Sequence, residues 1–275
     1  MLNVLLRKLM PVAVLGLGLV TSGCDGMDIQ VGDNKGVPLA DLDMSGDAPK
    51  GVVLAGPDTL VVTEGETLDI DVEGDQAAVD ALRFNIEDGT LGIMRKKNGW
   101  KDGGTATIRV TMPKPEEVVI AGSGNATLPG MASKAEVTIG GSGTIDAGTL
   151  SGESLEITIG GSGTVKARGT IKNLTMTVGG SGKAEMADLK VDKAEINVGG
   201  SGDALFASDG EVEANIAGSG DIVVTGSAKC RIEAFGSGTL TCKPGTAKAA
   251  PTAPAGSEAP SAPAAPAPTA AEANS

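Results

Sequence analysis

Two hydrophobic patterns divide the chain. Over residues 58–121 apolar and polar positions alternate in short runs. Leu68, Ile70 and Val72 alternate with Asp69, Asp71 and Glu73; Leu82, Phe84 and Ile86 repeat the arrangement, followed by Leu91 and Ile93 and by Ile108, Val110 and Met112. A period of two predicts strands with one buried face. Asp88-Gly89 and Gly103-Gly104 mark turns between them. The stretch from Arg95 to Asp102 reads as a solvated loop and is the only dense basic cluster.

Farther on, the alternation becomes a repeat. Gly-Ser-Gly recurs with its serine at Ser123, Ser142, Ser162, Ser181, Ser201, Ser219 and Ser237, at spacings of 19, 20, 19, 20, 18 and 18 residues. Three residues before each serine stand Ile120, Ile139, Ile159, Val178, Val198, Ile216 and Ala234; five before stand Val118, Val137, Ile157, Met176, Ile196, Ala214 and Ile232. Thr138, Thr158, Thr177, Asn197 and Asn215 separate these two sets, and Glu136, Glu156, Glu195 and Glu213 lie one polar step earlier. A strand with an apolar and a polar side therefore precedes each corner. Three residues after the serine the series Ala126, Ile145, Val165, Ala184, Ala204, Ile222 and Leu240 opens a second strand. Met131, Leu150, Ile171 and Leu189 supply a third, shorter inward contact.

Two or three strands per 18–20 residues, with like residues recurring in every coil, predict an all-β fold: a single-stranded β-helix of about seven coils. Coils stacked at ~4.8 Å would form a rod of roughly 30 Å, with Ile and Val ladders inside and Thr and Asn ladders outside. Glycine suits the corner because it tolerates positive φ and close backbone approach, and stacked serine hydroxyls could hydrogen-bond along it. Exposed terminal coils would stack end to end into a filament unless the N-terminal strands and the Cys230–Cys242 region cap them.

Composition narrows the picture. Of 275 residues 42 are Gly, and Phe84, Phe206, Phe235 and Trp100 are the only aromatic residues, so the core must be narrow and aliphatic. There is no His, and the formal net charge is −13. Such acidity argues against nucleic acid, whose phosphates need clustered Lys and Arg, and against electrostatic attraction to anionic lipid; its plainest reading is solubility.

The chain begins with a secretion signal. Arg7 and Lys8 precede an apolar run from Pro11 to Val20 that is too short for a normal membrane span. Thr21-Ser22-Gly23-Cys24 then resembles a lipobox, although Thr21 departs from the usual Leu. On this reading Cys24 is acylated and the lipid tethers an exported domain to a bacterial envelope membrane, facing the periplasm or the cell surface. The alternative is an ordinary signal peptide with an incidental Cys. With Cys24 acylated, Cys230 and Cys242 remain as a candidate disulfide pair, the other reading being two buried thiols. The expected organisation is a signal peptide over 1–23, a flexible tether over 24–55, a β-rich segment over 56–121, the repeat over 122–244 and a disordered Pro/Ala-rich tail over 245–275.

The serial I-x-GGSG-x-I/V corners resemble the head GIN domain family, labelled putative auto-transporter adhesin. So does the preceding block from Leu54-Ala55-Gly56-Pro57 through Leu82-Arg83-Phe84 and Asp88-Gly89-Thr90-Leu91 to Val110-Thr111-Met112-Pro113. The likeness covers about 54–244. It implies a right-handed β-helix on a secreted or surface-tethered protein, with no established catalytic motif to carry over.

Chemical alternatives fare poorly against the residues. Gly140-Gly141-Ser142-Gly143-Thr144 begins like a calcium-binding nonapeptide repeat, but the Asp position is Ile145, and Val165, Ala184 and Ala204 in the other coils. No metal site or cofactor is expected, and Asp203 and Asp221 read as solvated. A phosphate loop needs a following helix, whereas each Gly-Ser-Gly feeds a strand. Glycoside hydrolysis needs two carboxylates at a set separation; Glu136, Glu156, Glu195 and Glu213 line one outer ladder but resemble one another coil by coil, as a solvated face does. The chain therefore reads as a non-enzymatic envelope module that binds a glycan or protein. The competing readings are a structural spacer and, more remotely, a polysaccharide-active enzyme.

Overall fold

The computed structural model describes residues 36–96, Gly99 and residues 104–243. The signal segment, Cys24, most of the basic loop and the tail over 245–275 lie outside these residues.

The described chain is a β-solenoid of about seven turns. Its opening strands are β1 (Gly51–Ala55), β2 (Thr59–Glu64) and β3 (Asp69–Gly74), then a short helix α1 (Gln76–Ala81), then β4 (Leu82–Glu87), β5 (Thr90–Arg95) and β6 (Ala106–Met112). The coils proper comprise β7 (Glu117–Gly122), β8 (Asn125–Thr127), β9 (Lys134–Gly141), β10 (Thr144–Gly161), β11 (Thr164–Gly180), β12 (Lys183–Gly200) and β13 (Asp203–Gly218). They finish with β14 (Asp221–Thr225), β15 (Lys229–Gly236) and β16 (Thr239–Lys243). Pairing between coils is parallel throughout, and the sheet path runs β16-β14-β13-β12-β11-β10-β9-β7-β1-β5-β4.

The repeat reads out as register. Val118, Val137, Ile157, Met176, Ile196, Ala214 and Ile232 are successive partners in one column; Ile120, Ile139, Ile159, Val178, Val198, Ile216 and Ala234 form the next. The columns extend backward into β1 through Val52 and Leu54, and into β5 through Leu91 and Ile93. Except for Ile232 and Ala234 on the last coil, these side chains are buried. A slip of one residue would turn each ladder inside out, so the apolar columns specify the register. Met131, Leu150, Ile171 and Leu189 are buried as well and make the third side of the coil.

The corner is a close approach of backbones. The first glycine of each Gly-Ser-Gly holds a left-handed φ between 127° and 142°. A Cβ on Gly161 would collide with the carbonyl oxygen of Gly141 in the coil before. The serine between the glycines donates its backbone N–H to that coil: Ser162 to Gly141, Ser181 to Gly161 and Ser201 to Gly180, each at 2.8 Å.

Three features depart from the expectation. Residues 51–55, assigned to the tether, form β1, whose five residues are all buried between β5 and β7. A strand covered on both faces shows no alternation, which is why periodicity misses it. Leu39 and Leu42 also pack on the core. Second, α1 interrupts the strands: Asp75 caps it, accepting from the N–H groups of Ala77 and Ala78 at 3.0 and 3.4 Å. Third, Arg95 does not belong to a solvated loop. It is buried against Asp58. The Asp88-Gly89 turn, by contrast, closes the antiparallel β4–β5 hairpin with positive φ at both residues, as a two-residue hairpin requires.

A candidate recognition face on the coil exterior

The polar side of the strand before each corner forms one continuous outer face. Three parallel columns of positions cross it. The first is Glu117, Glu136, Glu156, Thr175, Glu195, Glu213 and Arg231; the second holds Thr138, Thr158, Thr177, Asn197, Asn215 and Glu233; the third is Gly140, Gly160, Gly179, Gly199, Ala217 and Phe235. The third column has almost no side chains, so it is a shallow trough. One border carries the Thr and Asn side chains. The other is the row of corner serines Ser123, Ser142, Ser162, Ser181, Ser201, Ser219 and Ser237, all exposed.

The serines therefore line a surface. Among the described residues none of their hydroxyls bonds to another, so the expected hydroxyl ladder does not form; the backbone N–H bonds hold the corner instead. Asn215 does bond along its column, donating from Nδ2 to Oδ1 of Asn197 at 3.1 Å. Near the C-terminal end the trough deepens to a depression of about 400 Å³ lined by residues that include Thr177, Asn197, Asn215, Glu233 and Phe235.

Charge distinguishes this face from its neighbours. Elsewhere opposite charges stack between coils: Lys166 lies 3.4 Å from Glu185, Lys190 2.7 Å from Asp209 and Arg168 3.8 Å from Asp146. The hydrogen bond from Lys190, with others from Ser227, holds the Asp209 carboxyl well below the usual carboxylate range. On this outer face Glu117, Glu136 and Glu156 stack like on like. Partial desolvation, reinforced by Glu117 and Glu156, raises the pKa of Glu136 above its ordinary value. Like charges directly opposite each other on paired strands oppose folding, so this column is not explained by stability.

Cys230 and Cys242 are joined as a disulfide with Cα atoms 6.7 Å apart. They occupy the terminal places of the Val212 and Val224 columns. Among the described residues no group of three or more carboxylate or cysteine side chains is disposed to hold a metal ion. The buried ion pair of Asp58 and Arg95 escaped the sequence reading, because nothing local distinguishes either residue from solvated ones.

Comparison with known proteins places this geometry. Several solved structures share the fold. One described as a putative lipid binding protein from Parabacteroides distasonis is 24% identical, with a TM-score of 0.57 over 71% of this chain and 93% of its own. A putative adhesin from Bacteroides fragilis is 20% identical, with a TM-score of 0.59 over 72% of this chain and 92% of its own. A putative adhesin from Parabacteroides merdae is 18% identical, with a TM-score of 0.52 over 71% and 92%. No curated protein matches the chain. Residues 48–228, more than half of the sequence, match the family described as "Putative auto-transporter adhesin, head GIN domain", and the chain belongs to that family.

Proposed function

We propose that this protein is a non-catalytic envelope lipoprotein, anchored by acyl chains on Cys24, whose coil exterior binds an envelope glycan or protein. The observation that carries the reading is the outer face itself. It is flat and regular, and it presents rows of hydroxyls, amides and carboxylates beside a trough that side chains leave open. Groups repeated once per coil suit a polymer that also repeats. The adhesin-like family supports a binding role over a catalytic one. The unneutralised Glu117–Glu136–Glu156 column supports selection for recognition at some cost to stability.

The test is retention of isolated envelope polymers and proteins by the full chain. Lysine at Thr158, Asn197 and Asn215 together should abolish retention, while lysine at Lys166-side positions such as Glu185 should leave it unchanged. Equal retention by both variants, or no retention by the unaltered chain, would sink the proposal. A structural spacer is the second reading, favoured by the like-with-like ladders, since Thr and Asn suit stacked strands without any ligand. A spacer predicts that cells carrying the triple lysine variant keep an intact envelope while cells lacking the protein do not.

A further inference from the structure

The two ends of the solenoid are finished differently. At the amino-terminal end β4 turns back on β5, and Val37 exchanges two backbone hydrogen bonds with Phe84 at 2.8 Å, covering its far edge. β3 returns on β6 and carries Asp69, Asp71 and Glu73, charges that discourage a further strand. At the carboxy-terminal end β15 pairs only with β13, and β16 only with β14, among the described residues. Each therefore presents an edge of backbone donors and acceptors. Ile232 is 40% exposed and Phe235 80%, two of four exposed large apolar residues in the described chain. The Cys230–Cys242 disulfide ties β15 to β16, so this edge is held in strand geometry.

We propose that the edge is a dimer interface: β15 pairs antiparallel with β15 of a second copy about a two-fold axis at Ile232. The charge pattern selects both partner and register. Lys229, Arg231, Glu233 and Phe235 point outward, while Cys230, Ile232 and Ala234 continue the inward columns. Centred on Ile232, each Arg231 opposes the partner's Glu233, twice by symmetry, and each Phe235 opposes the partner's Lys229, a cation over an aromatic face. Cys230 then opposes the partner's Ala234, and the two Ile232 side chains meet, closing the apolar columns. A centre one residue earlier sets Arg231 against Arg231, and one residue later sets Glu233 against Glu233. A centre between residues turns inward columns outward. Of these registers, only the one centred on Ile232 sets opposite charges against each other while keeping the inward columns inward. Because Val37 bridges the far edge of β4 and β3 carries acidic side chains along its own edge, the contact joins two copies and stops, instead of propagating as a filament.

Sedimentation velocity of the full chain over a concentration series tests this. The unaltered chain should pass from monomer to dimer. R231E and E233R should each weaken self-association at least ~tenfold, because each creates two like-charge contacts. An equimolar mixture of these two single variants should recover the dimer, since R231E of one copy then faces E233R of the other. A monomer at every concentration, unaltered self-association in the single variants, or a mixture that stays monomeric would each overturn the proposal. Should a variant fail to fold, hydrogen exchange of the unaltered chain reads the same contact: exchange at backbone amides of β15 must slow as concentration rises.

Discussion

Arg95 reaches across 37 residues of sequence to Asp58, its Nε donating to Oδ2 at 2.9 Å and its Nη2 to Oδ1, with both side chains sealed from solvent. The pair is fully engaged. Arg95 also donates to the carbonyls of Gly99 and Gly104 at 3.2 and 3.0 Å, and Asp58 accepts from the N–H of Ala106 at 2.8 Å. It thus binds the turn after β1 to both ends of the loop between β5 and β6.

Removing one partner strands a buried charge. Arg95→Met is expected to lower stability by about 3–5 kcal/mol, while the double variant Arg95→Met, Asp58→Leu should lose much less. Urea denaturation of the two variants checks this; equal losses would show that the ionic pairing is not what holds the loop.

Adjacent glycines should behave oppositely. Gly161 has φ of 130° and no room for a Cβ against Gly141, whereas the nearest atom to a Cβ on Gly160 is 3.8 Å away. Gly161→Ala is expected to cost well over ~1 kcal/mol and Gly160→Ala to stay within about 0.5 kcal/mol. Thermal unfolding of both variants measures the contrast.

The glutamate column makes a pH-dependent prediction. The folded-state pKa of Glu136 is raised, by desolvation first and then by Glu117 and Glu156. Its contribution is therefore fully present below the ordinary value of 4.5 and is lost as pH rises through the raised value. Above that, the charged side chain opposes folding. Glu136→Gln should raise stability at neutral pH by about 0.5 kcal/mol, a small figure because the group is largely solvated. The gain should vanish below the carboxylate range. A gain that persisted in acid would refute the electrostatic cause.

The disulfide closes a separation of 12 residues over the last coil. Replacing Cys230 and Cys242 by Ser is expected to cost up to about 3 kcal/mol. The loss should be concentrated in β15 and β16, which among the described residues are covered by no further coil. Amide exchange localises it: protection should fall in the last coil and persist in β9 through β12. Free thiols at these positions in the oxidised protein would count against the pairing.

The repeat was legible without coordinates. Side chains that must stack on copies of themselves leave a period in the sequence, so the seven corners and the inward columns follow from spacing alone. The outer Thr, Asn and Glu ladders were equally plain, because strand alternation puts them opposite the aliphatic columns. β1 was not legible, since a strand buried on both faces has no alternation to read. Nor was the Asp58–Arg95 pair, which depends on a contact between distant segments.

Register, inward faces and glycine corners were thus determined by the amino-acid sequence, because each is a local demand repeated at short range. Tertiary structure alone decided which glycines are indispensable, which charges are buried, and that among the described residues the two ends of the rod are finished differently. Those properties depend on what lies in the neighbouring coil, or on the lack of a neighbour, and no single stretch of chain encodes its neighbour.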